Sequence, residues 1–277
     1  MNEPFVISEI GINHNGDIKT AKSLIEMAKR CGADAIKFQK RTVEKVYTKE
    51  FLDSPRESPW GNTQRDQKMG LELGQAEYDE IDRYCKQVGL VWLASAYDID
   101  SQVFLRQYDL PYNKVASQMA NKSLFLMEVV KERKPTFIST GLATGQKWYE
   151  LTDALRAQFA YEYDPKCSIT FLHCVQQMQQ DVAYWHKYLV QDEQCQLWRI
   201  EELQQRYPDI PIGYSCHNPS ILTPSLAVCL GAKVIEVHIT LDRTYYGTDQ
   251  SASFEEDGLK RIVRDCKRVA RIIGSGE

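Results

Sequence analysis

No stretch of this 277-residue chain approaches the roughly 18 consecutive apolar residues that a membrane-spanning helix needs. The amino-terminal MNEPFVISEIG is acidic and runs straight into a strand, leaving no room for the basic and apolar regions of a secretory leader. Cysteine pairs are missing too. Cys31, Cys85, Cys167, Cys174, Cys195, Cys216, Cys229 and Cys266 stand singly, mostly in apolar runs, and no CxxC occurs. That spacing speaks against a disulfide framework or a thiolate metal cage, and reduced, packed thiols of a cytoplasmic protein are expected. There is no excess of positive charge: 34 Lys and Arg face 38 Asp and Glu, so neither nucleic acid nor an anionic membrane is an expected partner. A GxGxxG turn after the first strand is also absent.

What the chain has is alternation. Short apolar runs rich in β-branched residues predict strands at 5–10, 33–39, 90–95, 113–117, 135–139, 168–173, 210–215 and 233–239. Helix-period segments lie between and after them, at 19–31, 75–88, 100–108, 123–132, 146–157, 197–207, 219–230 and 254–273. Eight such pairs in about 250 residues predict an α/β fold, a TIM (β/α)8 barrel, with residues 1–277 as one catalytic domain. A doubly wound open sheet is the alternative, disfavoured by the missing glycine-rich turn. Residues 41–76 interrupt the rhythm with a long irregular stretch of turn formers and charges, expected to be a lid or cover over a site rather than a linker.

Polar residues recur where the strands end: Glu9, Lys37, Gln39, Ser95, Lys114, Ser117, Ser139, His173, Ser215, His217, Glu236 and His238. In a barrel these ends converge on one mouth. His217 and His238 close two consecutive strands joined by one helix, and parallel neighbours lie about 4.8 Å apart, so both imidazoles can reach one metal ion. Two imidazoles and no thiolate spacing suit Mn2+ or Mg2+ in a Lewis-acid role, with Co2+ as a further candidate, better than structural zinc. Cys216 adjoins His217 but points to the opposite face of its strand, as packing. Lys37 and Lys114 sit inside apolar strands, where an ammonium needs an anion beside it. With the hydroxyls of Ser95, Ser117, Ser139 and Ser215 they form a phosphate and carboxylate cradle. The alternative for each lysine is a core glutamate, Glu9 or Glu236.

Eight stretches, SEIGINHNGD at 8–17, DAIKFQK at 34–40, NKVAS at 113–117, STG at 139–141, LHC at 172–174, GYSCH at 213–217, EVHITLDR at 236–243 and GTDQSAS at 247–253, resemble the sialic acid synthase family in the right order over essentially the whole chain. The resemblance implies a metal-dependent TIM-barrel enzyme that condenses phosphoenolpyruvate with an open-chain N-acylated hexosamine. It releases phosphate and forms a nonulosonic acid. It implies that His217 and His238 are the metal ligands. Lys37, Ser95, Lys114, Ser117, Ser139 and Ser215 would hold phosphoenolpyruvate, with Gln176 where the family often has a polar amide or hydroxyl. Glu9 and Asp249 would face the sugar and the attacking water, and either could be the general base. Gln39 is placed on the same acceptor side. A homodimer is expected from the same resemblance.

The chain also departs from the family pattern. It is read as ending directly after the eighth helix, without the small C-terminal antifreeze-like domain many members carry, so the usual swapped contact across a dimer could not form. Met119 stands where an acidic residue is usual, and Met178 and Gln179 replace a Tyr-Pro pair. If Met119 and Met178 face the acceptor, a sugar hydroxyl there would be left unpaired, so plain N-acetylmannosamine is not the expected acceptor. Two alternatives stand: a modified bacterial-type hexose, or a hexosamine whose terminal phosphate is anchored by Arg56, Arg65 and Lys68. The SPWGNTQRDQK stretch at 58–68 resembles branches of the family that take 6-phosphorylated hexosamines. Two other functions compete: a Schiff-base aldolase using one of the lysines, and a degenerate barrel that only binds a sugar or anion.

Overall fold

The computed structural model describes residues 3–141, 145–160, 168–175 and 190–274. The chain opens with β1 (Phe5–Gly11), α1 (Ile18–Cys31) and β2 (Ala35–Lys40). An excursion follows, made of two single-turn helices, α2 (Val43–Val46) and α3 (Lys49–Leu52), a hairpin of β3 (Pro55–Ser58) and β4 (Gly61–Thr63), and α4 (Gln64–Leu71). Alternation resumes with α5 (Gln75–Val88), β5 (Val91–Ala96), α6 (Ile99–Leu105), β6 (Asn113–Val115), α7 (Ser123–Val130), β7 (Thr136–Ser139) and α8 (Gln146–Ala160). It closes with β8 (Ile169–Cys174), α9 (Trp198–Arg206), β9 (Ile212–Cys216), α10 (Leu222–Cys229), β10 (Val234–His238) and α11 (Glu256–Ile273). All strands but β3 and β4 pair in the order β1-β10-β9-β8-β7-β6-β5-β2 and close on themselves. Every pairing in the ring is parallel, so the fold is the expected α/β TIM barrel.

Local chemistry explains why the elements stop and start where they do. Asp17 caps α1 by accepting from the amides of Lys19 and Thr20, and Gly32 ends it at φ 79. Between the caps Ala21, Leu24, Ile25 and Ala28 repeat at helical spacing and are buried against the barrel.

Side chains alternate along each barrel strand, and the alternation builds two stacked layers inside the ring. The lower layer is apolar: Ile7, Ala35, Leu93, Phe137, Leu172 and Val234 form one buried cluster, with Phe5 and Tyr112 against it. Gly213 completes it from β9, where a Cβ would stand 2.5 Å from the Val234 carbonyl and 2.6 Å from Leu172 Cδ2. Two residues further along each strand come Glu9, Lys37, Ser95, Lys114, Ser139, Cys174, Ser215 and Glu236, all buried. The barrel thus seals its floor with hydrocarbon and presents a ring of polar groups above it.

Four expectations need correction. The 41–76 stretch is not irregular. Its short helices each bury one apolar residue, Val43, Leu52 or Leu71, and two of them are capped: Thr48 accepts from the Phe51 amide, and Thr63 forms a capping box with Asp66 at the start of α4. Strand β6 ends at Val115, and a 3-10 turn, Ser117–Met119, replaces its expected last residues. That turn buries Met119 in the hydrophobic shell and leaves Ser117 and Gln118 on the open side, so Met119 does not face the mouth. His173 likewise points away from the mouth, because it is out of phase with Leu172 and Cys174. Its ring stacks on Tyr214 and Nε2 lies 2.8 Å from the Cys195 carbonyl.

Candidate functional site

Above the polar ring lies a cleft of about 350 Å3. Glu9, Lys37, Gln39, Lys114, Ser117, Ser139, Ser215, His217, His238 and Asp249, all singled out in the sequence, line it together. Ser95 sits just behind, accepting from Lys37 Nζ at 3.1 Å. Lys68 reaches the cleft from α4, whereas Arg65 on the same helix is drawn outward by Glu44 and by Asp53 at 2.9 Å. Arg65 therefore does not line the cleft. Arg56 does not line the cleft, although its charge acts on Lys68. Gln176 and Met178 lie outside the described residues.

The two lysines share one carboxylate, that of Glu236. Lys37 Nζ lies 2.8 Å from Glu9 Oε2 and 3.6 Å from Glu236 Oε1. Lys114 Nζ donates to Ser139 Oγ at 2.8 Å and lies 3.7 Å from Glu236 Oε2. Burial works to lower the Lys37 pKa, but the charges of Glu236 and Glu9 outweigh it and hold the ammonium above its ordinary value. For Lys114 burial wins and the pKa is lowered. Glu236 is pushed up by burial, yet Lys114 and Lys37 hold it down at about 2.

His217 follows β9 and His238 ends β10, and Val237 pairs level with Cys216 one step below them. Their ring centroids are 5.2 Å apart. Burial, then the neighbouring His238, lowers His217 to about 3, so it is neutral near physiological pH. Nδ1 of His238 and Oε2 of Glu236 are buried and take no hydrogen bond from any described residue. Asp249 Oδ2 stands 3.8 Å from His238 Nδ1. An imidazole that burial keeps neutral, beside a second imidazole and oxygen donors, fits a divalent cation. Among the described residues no group of three or more His, Cys, Asp or Glu is placed to hold an ion alone, so a cation resting on the two imidazoles would draw further ligands from water and substrate. Cys216 packs away from the cleft, as expected, within 3.4 Å of Thr223 Oγ1.

Sequence reasoning missed a second charged patch. Arg41 stacks on Tyr97 at 4.3 Å, pairs with Glu72 at 3.3 Å and donates to Gln39, whose amide in turn donates to Glu9 at 2.7 Å. Tyr47, Glu72, Tyr97, Thr248 and Cys174 also line the cleft. These residues follow strand ends or sit in short capped elements, where no hydrophobic period marks them; Cys174 alone was within reach, by counting two residues on from Leu172.

Comparison with known proteins decides the family. The sequence matches the NeuB family over residues 24–277. The chain belongs to the NeuB family. This NeuB chain is 38% identical to the N-acetylneuraminate-9-phosphate synthase of Homo sapiens, over 98% of its own length and 71% of the relative's. It is 29% identical to the N,N'-diacetyllegionaminic acid synthase of Legionella pneumophila, over 99% and 74%. The crystal structure of an N-acetylneuraminic acid (sialic acid) synthetase from Leptospira borgpetersenii, in complex with citrate, superposes with a TM-score of 0.84 at 26% identity, covering 100% of this chain and 87% of that one. The NeuB chain is an enzyme of the nonulosonic acid synthase class, one that forms a carbon–carbon bond. Among its described residues no helix is long and apolar enough to cross a membrane.

Proposed function

We propose that this enzyme condenses phosphoenolpyruvate with the open-chain aldehyde of a hexosamine, making a nine-carbon 3-deoxy-2-keto acid and releasing phosphate. The observation that carries the reading is the convergence of Lys37, Lys114, His217, His238 and Asp249 on one cleft. The lysines, with the hydroxyls of Ser117, Ser139 and Ser215, bind the phosphate and carboxylate of phosphoenolpyruvate. C3 attacks the aldehyde carbon, positive charge develops at C2, water adds there, and the tetrahedral intermediate expels phosphate by C–O cleavage. A divalent cation, Mn2+ in this reading with Mg2+ or Co2+ as substitutes, would be held by His217 and His238 and would polarise the aldehyde oxygen.

Asp249 suits the general base better than Glu9. Both Glu9 oxygens are engaged, by Gln39 and by Lys37. Asp249 is more open and offers an oxygen on the His238 side.

The acceptor in this reading carries a terminal phosphate. Adding the three carbons of phosphoenolpyruvate renumbers C6 of a hexose as C9, which agrees with the 9-phosphate in the human relative's name. Lys68, half-buried at the cleft, supplies the cation, with Arg41 across the same wall. The reading also includes a homodimer in the cytoplasm, supported by exposed Leu222, Leu226 and Ile272 on the adjoining α10 and α11.

Phosphate release from phosphoenolpyruvate tests the whole, with N-acetylmannosamine, its 6-phosphate, mannose and a 6-deoxy diacetamido hexose, each with Mn2+ and with chelator. The 6-phosphate is expected to turn over best, and only with metal. Equal activity in chelator would remove the cation from the mechanism, and best turnover of an unphosphorylated sugar would remove the phosphate subsite.

A further inference from the structure

The ring of charged and hydroxyl groups above the barrel floor contains one soft side chain, Cys174 at the end of β8. It is buried, and its Sγ lies 3.6 Å from Nδ1 of His217. The turn just after β7 is built to press on it. A Cβ at Gly141 would stand 2.8 Å from Cys174 Sγ and 2.9 Å from its carbonyl oxygen, so glycine alone lets the chain close on the sulfur there. Two strands thus fix the sulfur beside an imidazole that belongs to a third.

A neutral histidine carries one ring proton, and the hydrogen bond made by one nitrogen decides which lone pair the other offers. We propose that Cys174 is the positioning residue for His217: its sulfur accepts the Nδ1–H, fixing the tautomer and the ring so that Nε2 presents its lone pair to a divalent cation. The inference rests on reading His217 as a metal ligand. Sulfur is a weak acceptor, so it orients the ring while making it less basic than a carboxylate partner would. A site meant to bind and release substrate oxygens at each turnover is served by a ligand that is well aimed but only moderately strong.

The test is equilibrium binding of Mn2+ to the metal-free protein by titration calorimetry, with thermal melting of the same samples. Cys174→Ala is expected to weaken Mn2+ binding about 10- to 100-fold, the range for loss of an outer partner of a metal-bound histidine. Cys174→Ser, which keeps an acceptor, should restore most of the affinity, and the melting temperature of the metal-free protein should not follow the affinity. Gly141→Ala, which keeps the thiol but pushes it aside, should weaken binding as well. Cys174→Ala or Gly141→Ala binding Mn2+ as tightly as the unaltered protein would overturn the positioning role, provided His217→Ala weakens it. If His217→Ala changes nothing either, the metal reading itself has failed.

Discussion

Lys37 and Lys114 are each 3% exposed, yet they are held differently. Lys37 has two carboxylates within 3.6 Å, while Lys114 shares one of them and feels the Lys37 charge. A locked ammonium is a poor Schiff-base nucleophile, which argues against the aldolase alternative at Lys37. Lys37→Ala or Lys114→Ala should raise KM for phosphoenolpyruvate about 10- to 150-fold, from roughly 1.5–3 kcal/mol per charge-assisted contact, and move the acceptor KM far less. Steady-state kinetics with each substrate varied in turn checks this, and the opposite pattern would exchange the two half-sites. Lys68 brings a pH signature. Burial, then the charges of Arg56 and Arg41, lowers its pKa to about 8, so it is a cation below that pH and neutral above it. KM for a 6-phosphorylated acceptor should therefore rise as pH passes 8. Lys68→Arg, which stays charged, should flatten the profile.

Among the elements, α4 and the hairpin before it act as one cover. Trp60 at the hairpin tip packs on Gly70, where a Cβ would fall 2.1 Å from its Cγ, and its ring meets Tyr246 edge-on at 5.7 Å. Tyr246 belongs to the loop that also carries Thr248 and Asp249 into the cleft. Gly70→Ala must displace the indole, an overpacking that costs roughly 1–3 kcal/mol locally. Because α4 delivers Lys68 and Leu71 while the phosphoenolpyruvate groups come from barrel strands, that variant should raise the acceptor KM and leave the phosphoenolpyruvate KM nearly unchanged. Equal effects on both would show that the cover is not confined to the acceptor side.

For the whole molecule, two buried histidines outside the cleft add to the response of His217 to acid. Burial, then the charge of Arg41, lowers His14 to about 4, and burial lowers His173 to about 4. The unfolded chain protonates both near 6.5 while the folded chain does not, so the stability they contribute is complete above about pH 7 and is lost as pH falls from 6.5 to 4. Each adds up to about 1.4 kcal/mol per pH unit of slope in that window. Urea unfolding at a series of pH values reads it, and His173→Asn should remove part of the slope. A flat stability from pH 7 to 5 would show that these imidazoles open to solvent.

The alternation of apolar runs and amphipathic helices sufficed for the barrel, because a buried parallel strand and its crossover helix each carry a period that survives in one dimension. The same period put Glu9, Lys37, Lys114, Ser139, Ser215 and Glu236 on the inner face, two residues beyond the apolar floor. Closure of the ring decided the rest. Only in three dimensions does Glu236 become the carboxylate shared by two lysines from β2 and β6. Turns and caps obey contacts rather than periods, and so Met119 turned into the shell, Arg65 turned to surface carboxylates, and Lys68, three residues later on the same helix, faced the cleft. Residue order determined which groups the strands could offer, while the tertiary packing chose which of them meet, since a side chain's partners at the mouth come from other strands, 25 positions away for Lys114 and Ser139 and 58 for Lys37 and Ser95.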